Sequence, residues 1–160
     1  MDKIKMKHFV EGDSRTAGSV PPIKKFDQAN DSHRTDVRNL IARFSQMLEQ
    51  SSRNHDWTKT EEPYRSMFYR DLCDAVEGKQ NFMDGEWAKV HYKELERHHL
   101  NEYCPSDVNL FDVIEMVCDC VCAGMTRKGN VSPVEISGEI LECAVANTVN
   151  LLKDEIEVVQ

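Results

Sequence analysis

Long apolar runs are missing from this 160-residue sequence, and so is an excess of positive charge. No apolar run reaches the ~18 residues of a transmembrane helix, so we expect no membrane span. The first residues, MDKIKMKHFVEGD, also lack the continuous apolar core of a secretory signal. The formal net charge of −8 argues against a general nucleic-acid binder, because phosphate backbones require a basic surface.

The six cysteines lack the spacing of a zinc site. Cys118, Cys120 and Cys122 alternate along the chain, whereas zinc ligands typically follow a C-x-x-C spacing. Most of the six lie in apolar helical contexts, where a free cysteine behaves as a small hydrophobic residue. We therefore expect reduced cysteines, no disulfides and a cytoplasmic location.

The sequence is rich in helical periodicity. Apolar residues recur at helical spacing after a potential cap at Asp31 or Ser32, and again after Pro63 and Asp84. The segment Ser132–Glu135 is a capping box with proline at the first helical position, which predicts the start of the last helix. Five helical segments without a convincing alternating strand predict an all-α fold.

The domain organisation follows from where this periodicity begins. Residues 1–30 mix charge, glycine and two adjacent prolines without a sustained period, which predicts an irregular N-terminal arm. Residues 31–160 are long enough for a real core and predict a single-domain helical bundle.

The helix predicted around residues 113–123 is apolar on nearly every side, which is typical of a buried helix. Glu115 and Asp119 lie four residues apart in it and therefore project from one face. A buried carboxylate without a partner costs roughly several kcal/mol, so a metal ion or a cationic side chain has to pair with it. Nearby histidines favour a metal; the alternative is an ion pair with Arg97 or Arg127.

Histidine and acidic residues recur in an order that suits a metal site. In chain order they are His33, His55, Asp56, His91, His98, His99, Glu115 and Asp119. Imidazole nitrogens combined with carboxylate oxygens favour a divalent transition metal (Mn, Fe, Co, Ni or Zn) over calcium. Such a metal lowers the pKa of a bound water towards neutrality, which is the chemistry of phosphoester hydrolysis.

Several of these residues also have a simpler interpretation. Asp56 is a potential helix cap beside a solvated histidine, and His91 is a potential hydrogen-bonded core residue. His98 and His99 project about 100° apart on a helix, so they cannot both face the interior. Lys59 is either an ordinary solvated charge or a cation that holds a phosphate.

The order of a histidine, a His-Asp pair, further histidines and a late aspartate resembles that of the HD-domain metal-dependent phosphohydrolases. In that family the first histidine, the pair and the last aspartate bind one metal. The resemblance implies these roles for His33, His55, Asp56 and Asp119. An unbroken helix would separate His33 from His55 by ~33 Å, so a shared metal requires the chain to reverse between them.

The segments HDWTK, ERHHLNEY and DVIEMVCDC are more similar still to a family of small, largely uncharacterised bacteriophage proteins. That family has H-D-x-[ST]-K, H-H and E-M-x-x-D motifs in the same order. The resemblance covers roughly residues 30–130. It implies a virus-encoded protein that works in a bacterial cytoplasm, and it leaves the substrate open.

We therefore expect a metal-dependent phosphohydrolase that acts on a nucleotide or a related small phosphoester. The residues expected to bind the metal are His33, His55, Asp56, His91, His98 and Asp119. Glu115 is expected to orient a ligand or act as a general base, and Lys59 to contact the phosphate. The alternative is a non-catalytic phage accessory protein that binds a host protein or a signalling nucleotide.

Overall fold

A computed structural model describes residues 2–8, 13, 18–100 and 103–159. These residues confirm the all-α prediction, because helices dominate and the strands are two short segments. In chain order the elements are β1 (Ile4–Lys7), α1 (Ile23–Ser52), α2 (Tyr64–Val76), α3 (Glu86–Val90), α4 (Leu110–Lys128), α5 (Gly138–Asp154) and β2 (Ile156–Val159). Short 3₁₀ helices at Trp57–Lys59 and Phe82–Asp84 and a π-helical turn at His91–Leu95 lie between them. Within the described ranges, no helix combines the length and the apolar character needed to cross a bilayer.

The chain divides into two compact units. The first combines Met1–Leu48 with Val149–Gln160, and the second is Glu49–Thr148. In the first unit β1 and β2 pair in parallel, with Ile4 opposite Ile156. Arg43 of α1 donates a 2.6 Å hydrogen bond to the carbonyl of Asp2 and lies 3.4 Å from Glu155. Strand β2 was not predicted, because the pattern of a four-residue strand is too short to stand out from the end of a helix.

Helix α1 begins eight residues earlier than predicted, at Ile23 rather than near Asp31 or Ser32. The N–H groups of Lys25 and Phe26 donate to the carbonyl of Pro22, at 2.9 and 3.1 Å. Proline is well tolerated at a helix start because its missing N–H would have no partner there. The predicted boundary after residue 30 therefore lies inside α1.

The predicted starts of the later helices have mixed outcomes. Helix α2 follows Pro63 as predicted, and Gly78 beyond its end has the left-handed φ of 72° that favours glycine. The predicted start of the last helix at Ser132 is wrong, because residues 131–137 are not helical. Ser137 takes that role instead, and its hydroxyl accepts a 3.2 Å hydrogen bond from the N–H of Ile140.

Helix α4 is not buried on nearly every side, so that prediction is wrong. Val117 and Val121 are each 41% exposed and Met125 is 53% exposed, one turn apart along the helix. The side chains of Glu115 and Asp119 are less exposed than these apolar residues, at 14% and 34%. Helix α4 therefore turns its carboxylates inward and part of its apolar surface outward.

Candidate metal centre

The candidate site lies within the second unit and draws on four separate segments. His55 and Asp56 follow the end of α1, and His91 begins the π-helical turn. His98 and His99 lie in the loop beyond that turn, and Glu115 lies on α4. π-Helical turns are rare and are found frequently at functional sites, which fits this location.

Asp56 occupies the middle of the site. Its φ of 56° is in the left-handed region, which aspartate tolerates better than most residues because its short side chain can bond locally. Its Oδ2 atom accepts a short hydrogen bond from Lys59 Nζ. Its Oδ1 atom is buried and has no hydrogen-bond partner, although a buried polar atom normally has one.

Three imidazoles direct their Nε2 atoms at the Asp56 carboxylate. His55 Nε2 lies 3.4 Å from Oδ2, His91 Nε2 lies 3.6 Å from Oδ1, and His98 Nε2 lies 3.9 Å from Oδ1. His99 Nε2 in turn lies 2.9 Å from His91 Nε2. The two nitrogen atoms that face Oδ1 are too far away to donate a hydrogen bond to it, so this oxygen is approached by imidazoles without being satisfied by them.

Glu115 lies on the far side of two of these rings. His55 Nδ1 donates to Glu115 Oε1 at 2.9 Å, and His98 Nδ1 lies 3.1 Å from the same oxygen without the alignment of a hydrogen bond. Ser51 Oγ donates to the other oxygen at 3.3 Å. A carboxylate that holds Nδ1–H leaves Nε2 as the ring's lone-pair atom. His55 therefore presents a lone pair towards Asp56.

A buried chain of hydrogen bonds fixes the proton on His91. The Thr58 hydroxyl donates to Glu96 Oε1 at 2.8 Å, and the Thr58 N–H donates to the same oxygen at 3.0 Å. The Thr58 oxygen must then accept from His91 Nδ1, at 2.7 Å. The proton of neutral His91 is therefore on Nδ1, and its Nε2 lone pair points towards Asp56 and His99.

The aromatic core holds His91 in place. The Trp87 ring stacks on the His91 ring with centroids 4.2 Å apart, and Trp87 Nε1 donates to the carbonyl of Thr58 at 3.1 Å. The N–H of Trp87 donates to Asp71 Oδ2 at 2.7 Å, so Asp71 of α2 caps the start of α3. The cap predicted at Asp84 is therefore wrong. Gly85 is required here, because a Cβ atom would lie 2.3 Å from Asp71 Oδ2.

An ion pair holds the histidine loop against the start of α4. Arg97 donates to both carboxylate oxygens of Asp112, at 2.9 and 2.8 Å, and to Asp107 at 3.0 Å. Asp112 also accepts from the N–H of Asn109, which completes a capping box. The alternative in which Arg97 pairs with Glu115 is therefore wrong, and Glu115 pairs with histidines instead.

Two imidazoles and two carboxyl groups of the site have lowered pKa values. Burial and the neighbouring His99 lower the pKa of His91 to about 3, and burial and His98 lower that of His99 to about 4. Burial opposes ionisation of Asp56 and Glu115, yet Lys59 holds the pKa of Asp56 below its ordinary value. The two histidines beside Glu115 do the same for that carboxyl.

His98 behaves in the opposite way. Burial disfavours its charged form, but the nearby carboxylates of Glu115, Asp56 and Glu96 raise its pKa above the ordinary value. The three carboxylates therefore favour a positive charge at this position.

These residues fit a divalent metal ion. Two groups of three side chains could each hold an ion, because within each group the potential ligand atoms all lie within 4.8 Å of one another. One group is His55, His98 and Glu115, and the other is Asp56, His91 and His99. Three buried atoms of the described residues have no hydrogen-bond partner, Asp56 Oδ1, His98 Nδ1 and His98 Nε2, and Asp56 Oδ1 lies 3.9 Å from His98 Nε2. A cation would satisfy Asp56 Oδ1 and His98 Nε2, since a carboxylate and an imidazole lone pair are both metal ligands.

The structure brings most of the predicted site residues together. His55, Asp56, His91 and His98 converge as described above, and Lys59 contacts Asp56. Asp119 lies at the edge of the site, with Oδ1 3.7 Å from His55 Nε2.

His33 is not among the converging residues of the second unit. It lies on α1 in the first unit, is exposed, and belongs to neither potential ligand group of the described residues. Helix α1 continues unbroken from His33 to Ser52, so the reversal that a shared metal requires does not occur within the helix. The role of His33 as a ligand stays a prediction.

Sequence reasoning left His99 undecided and missed Thr58 and Glu96. Adjacent histidines were expected to point apart, but residues 96–100 are not helical and both rings reach the centre, with centroids 4.2 Å apart. Thr58 was present in the H-D-x-[ST]-K motif, and its fixed place three residues after His55 was the available signal. Glu96 had no such signal.

Comparison with known proteins gives a match that spans the whole site. A protein-family model, described as a family of unknown function (DUF5662), matches residues 23–157 of the sequence. No match was found among the curated proteins or among the solved structures.

Proposed function

Because the chain belongs to DUF5662, whose description leaves its function open, we propose from the site itself that it is a metal-dependent phosphohydrolase. Its substrate would be a nucleotide or a related small phosphoester. The observation that carries the proposal is the convergence of three imidazole Nε2 atoms on the Asp56 carboxylate, one oxygen of which is buried without a partner. The proposal is supported further by His55 Nε2, which lies 3.4 Å from Asp56 Oδ2 and 3.7 Å from Asp119 Oδ1.

The ligand set favours a transition metal among Mn, Fe, Co, Ni and Zn, because it combines several imidazole nitrogens with carboxylate oxygens. The residues that would hold it are His55, Asp56, His91, His98 and His99. Bound there, such an ion supplies a water of lowered pKa and charge stabilisation for a phosphoryl group.

The protein's own side chains provide the remaining functions. Glu115 and the Thr58–Glu96 pair orient the histidines from behind, so that their lone pairs face Asp56. Asp119 carries a half-buried carboxylate beside His55 and is placed to accept a proton from an attacking water. Lys59, held by Asp56, supplies the positive charge that attracts a phosphate in an otherwise acidic protein.

The proposal is tested by metal content and turnover measured on the same sample. The purified chain, reconstituted with Mn²⁺, Co²⁺ or Mg²⁺, is assayed on a panel of nucleotides and small phosphoesters, with and without a chelator. We expect bound metal and chelator-sensitive phosphate release, both lost in Asp56→Asn. The matched control is Asp74→Asn, which removes a carboxylate that pairs with Lys79 on the surface. Absence of metal after reconstitution, or release unaffected by the chelator, contradicts the proposal.

A second candidate is an accessory protein that binds a partner without turnover. The exposed apolar residues Val117, Val121 and Met125 on α4 favour it, because isolated soluble chains usually bury such rows. Metal binding without turnover on any substrate, combined with co-purification of a partner that Val121→Lys abolishes, supports this candidate instead.

A further inference from the structure

We infer that the cleft along α2 beside Lys59 binds a planar aromatic ring of the substrate, so that the preferred phosphoester carries an aryl or nucleobase group. This inference rests on the proposed function, because it takes the reacting phosphate to lie at the metal centre. It adds a specificity site formed by residues outside the candidate metal ligands.

The cleft has a volume of about 530 Å³, within the usual range of small-molecule sites. Its lining residues are Lys59, Arg65, Ser66, Phe68, Tyr69 and Leu72. All except Lys59 lie on one face of α2, at spacings of one, three and four residues. One helix face and one 3₁₀ turn therefore form a continuous wall.

The large side chains of this wall differ in how closely the protein packs around them. Phe68 packs against Trp87 with ring centroids 4.2 Å apart and against Phe82 at 6.1 Å, so its ring is fixed from behind. Tyr69 is 69% exposed and Leu72 is 42% exposed, although both are large and partly apolar. A flat ring lying in the cleft would cover both and gain the packing that solvent does not supply.

Lys59 connects the cleft to the metal centre. It lines the cleft and also donates to Asp56 Oδ2, while Asp56 Oδ1 faces His91 and His98 on the other side. One carboxylate therefore separates the cleft from the converging imidazoles. A phosphate bound at the metal and at Lys59 would leave its organic group beside α2.

The charge of the cleft suits an anionic ligand. Lys59 and Arg65 both line it, in a chain whose net charge is −8. Arg65 pairs with Glu62 at 3.3 Å, but both side chains are more than half exposed. Exposed pairs of this kind contribute little and exchange readily, so Arg65 can turn to a ligand anion.

The test compares two phosphonates that resist hydrolysis and differ only in the presence of a ring. Binding of phenylphosphonate and methylphosphonate to the Mn²⁺-reconstituted full chain is measured by titration calorimetry, with a 5′-phosphonate analogue of adenosine as a third ligand. Stacking contributes about 1–3 kcal/mol per base, so we expect at least about fivefold tighter binding of a ring-bearing ligand. The third ligand distinguishes a nucleobase from a simple aryl group.

The variants assign the preference to the cleft. Tyr69→Ala should reduce the ring preference to less than about twofold, whereas Tyr69→Phe should keep it. Tyr103→Ala, which removes another exposed tyrosine, is the matched control and should behave as wild type. Equal binding of all three ligands, or a preference that survives Tyr69→Ala, overturns the inference.

Hydrolysis of phenyl phosphate and glycerol phosphate, measured in parallel, separates the two proposals. If both esters are hydrolysed without a ring preference in binding, the cleft inference fails and the proposed function stands. If neither ester and no nucleotide of the panel is hydrolysed, but the ring preference in binding disappears in Tyr69→Ala, the proposed function fails and the cleft remains an aromatic phosphonate site.

Discussion

His91 and His99 face each other through their Nε2 atoms, 2.9 Å apart, and the Trp87 ring stacks on the ring of His91. Since Thr58 keeps the proton of His91 on Nδ1, the single proton between the rings must belong to His99. When the proton of neutral His99 is on Nδ1 instead, the two Nε2 atoms present two lone pairs at a separation that two nitrogen ligands of one ion can adopt. The contact is thus a hydrogen bond without metal and a potential ligand pair with it.

We expect His99→Ala to reduce bound metal by at least about half, because it removes one imidazole from the Asp56 group. Elemental analysis of protein reconstituted and then dialysed provides the measurement. His33→Ala is the informative comparison, because the resemblance implies a ligand role for His33 whereas neither described group contains it, and unchanged metal content would favour the described groups. Loss of metal in His33→Ala with retention in His99→Ala would reverse this assignment.

Glu115→Gln should weaken metal binding by about 10–100-fold without abolishing it. Glu115 holds His55 from behind, and a glutamine oxygen can still accept the Nδ1–H bond, whereas the negative charge is lost.

Asp119→Asn should abolish turnover, because the asparagine cannot accept a proton. Titration with Mn²⁺ and phosphate release, measured on both variants, separate orientation from proton transfer. Equal effects of both changes on melting temperature alone would indicate purely structural roles.

Thr58→Val should lower metal affinity by about 10–100-fold, because the isosteric side chain removes the hydroxyl that links Glu96 to His91. Thr58→Ser keeps the hydroxyl and should retain most of the affinity. Nitrogen-15 NMR of the imidazoles gives a second readout, since the Nδ1–H form of His91 should give way to a mixture of tautomers in the valine variant. An unchanged spectrum with unchanged affinity would show that Thr58 serves only packing.

The metal-free protein should become less stable as the pH falls from about 6.5 towards 4. His91 and His99 have folded-state pKa values of about 3 and about 4, below the ordinary value of 6.5. The unfolded chain therefore binds more protons across this window, and folding stability is lost as the pH decreases. Each ring contributes a slope of up to about 1.4 kcal/mol per pH unit.

Urea unfolding in chelator at pH 7, 5.5 and 4.5 measures this slope. His91→Asn, which cannot titrate there, should have a shallower one. A slope identical to that of the wild type would show that protonation of His91 does not contribute.

The sequence predicted the parts of this structure that depend on local pattern. Helical periodicity gave the all-α class, and Pro63 marked the start of α2. The starts of helices were harder to predict, because the capping box at Ser132 is a favourable local signal that the fold does not use. The start of α3 depends on Asp71, which lies on another helix, and no local pattern contains that information.

The sequence predicted which residues form the candidate site better than it predicted what each of them does. Metal-ligating residue types stand out in a sequence, so His55, Asp56, His91 and His98 could be selected. The contacts of Glu96 and Thr58 could not be predicted, because a buried glutamate and a threonine become supporting residues only through distant pairing. Both histidines of the adjacent pair reach the site because the chain there is an irregular loop and not the helix assumed.

The two carboxylate oxygens of Asp56 face different groups, and this arrangement couples cation binding to anion binding. Oδ1 faces the imidazoles, while Oδ2 neutralises Lys59. A cation bound at the histidines attracts the Asp56 carboxylate and so weakens its ion pair with Lys59. The lysine is therefore more available to an anion when the metal is present. Linkage requires the effect to be reciprocal, and an anion at Lys59 must increase the affinity for the metal by the same factor. Saturating inorganic phosphate should therefore lower the dissociation constant for Mn²⁺, and this coupling should disappear in Lys59→Met.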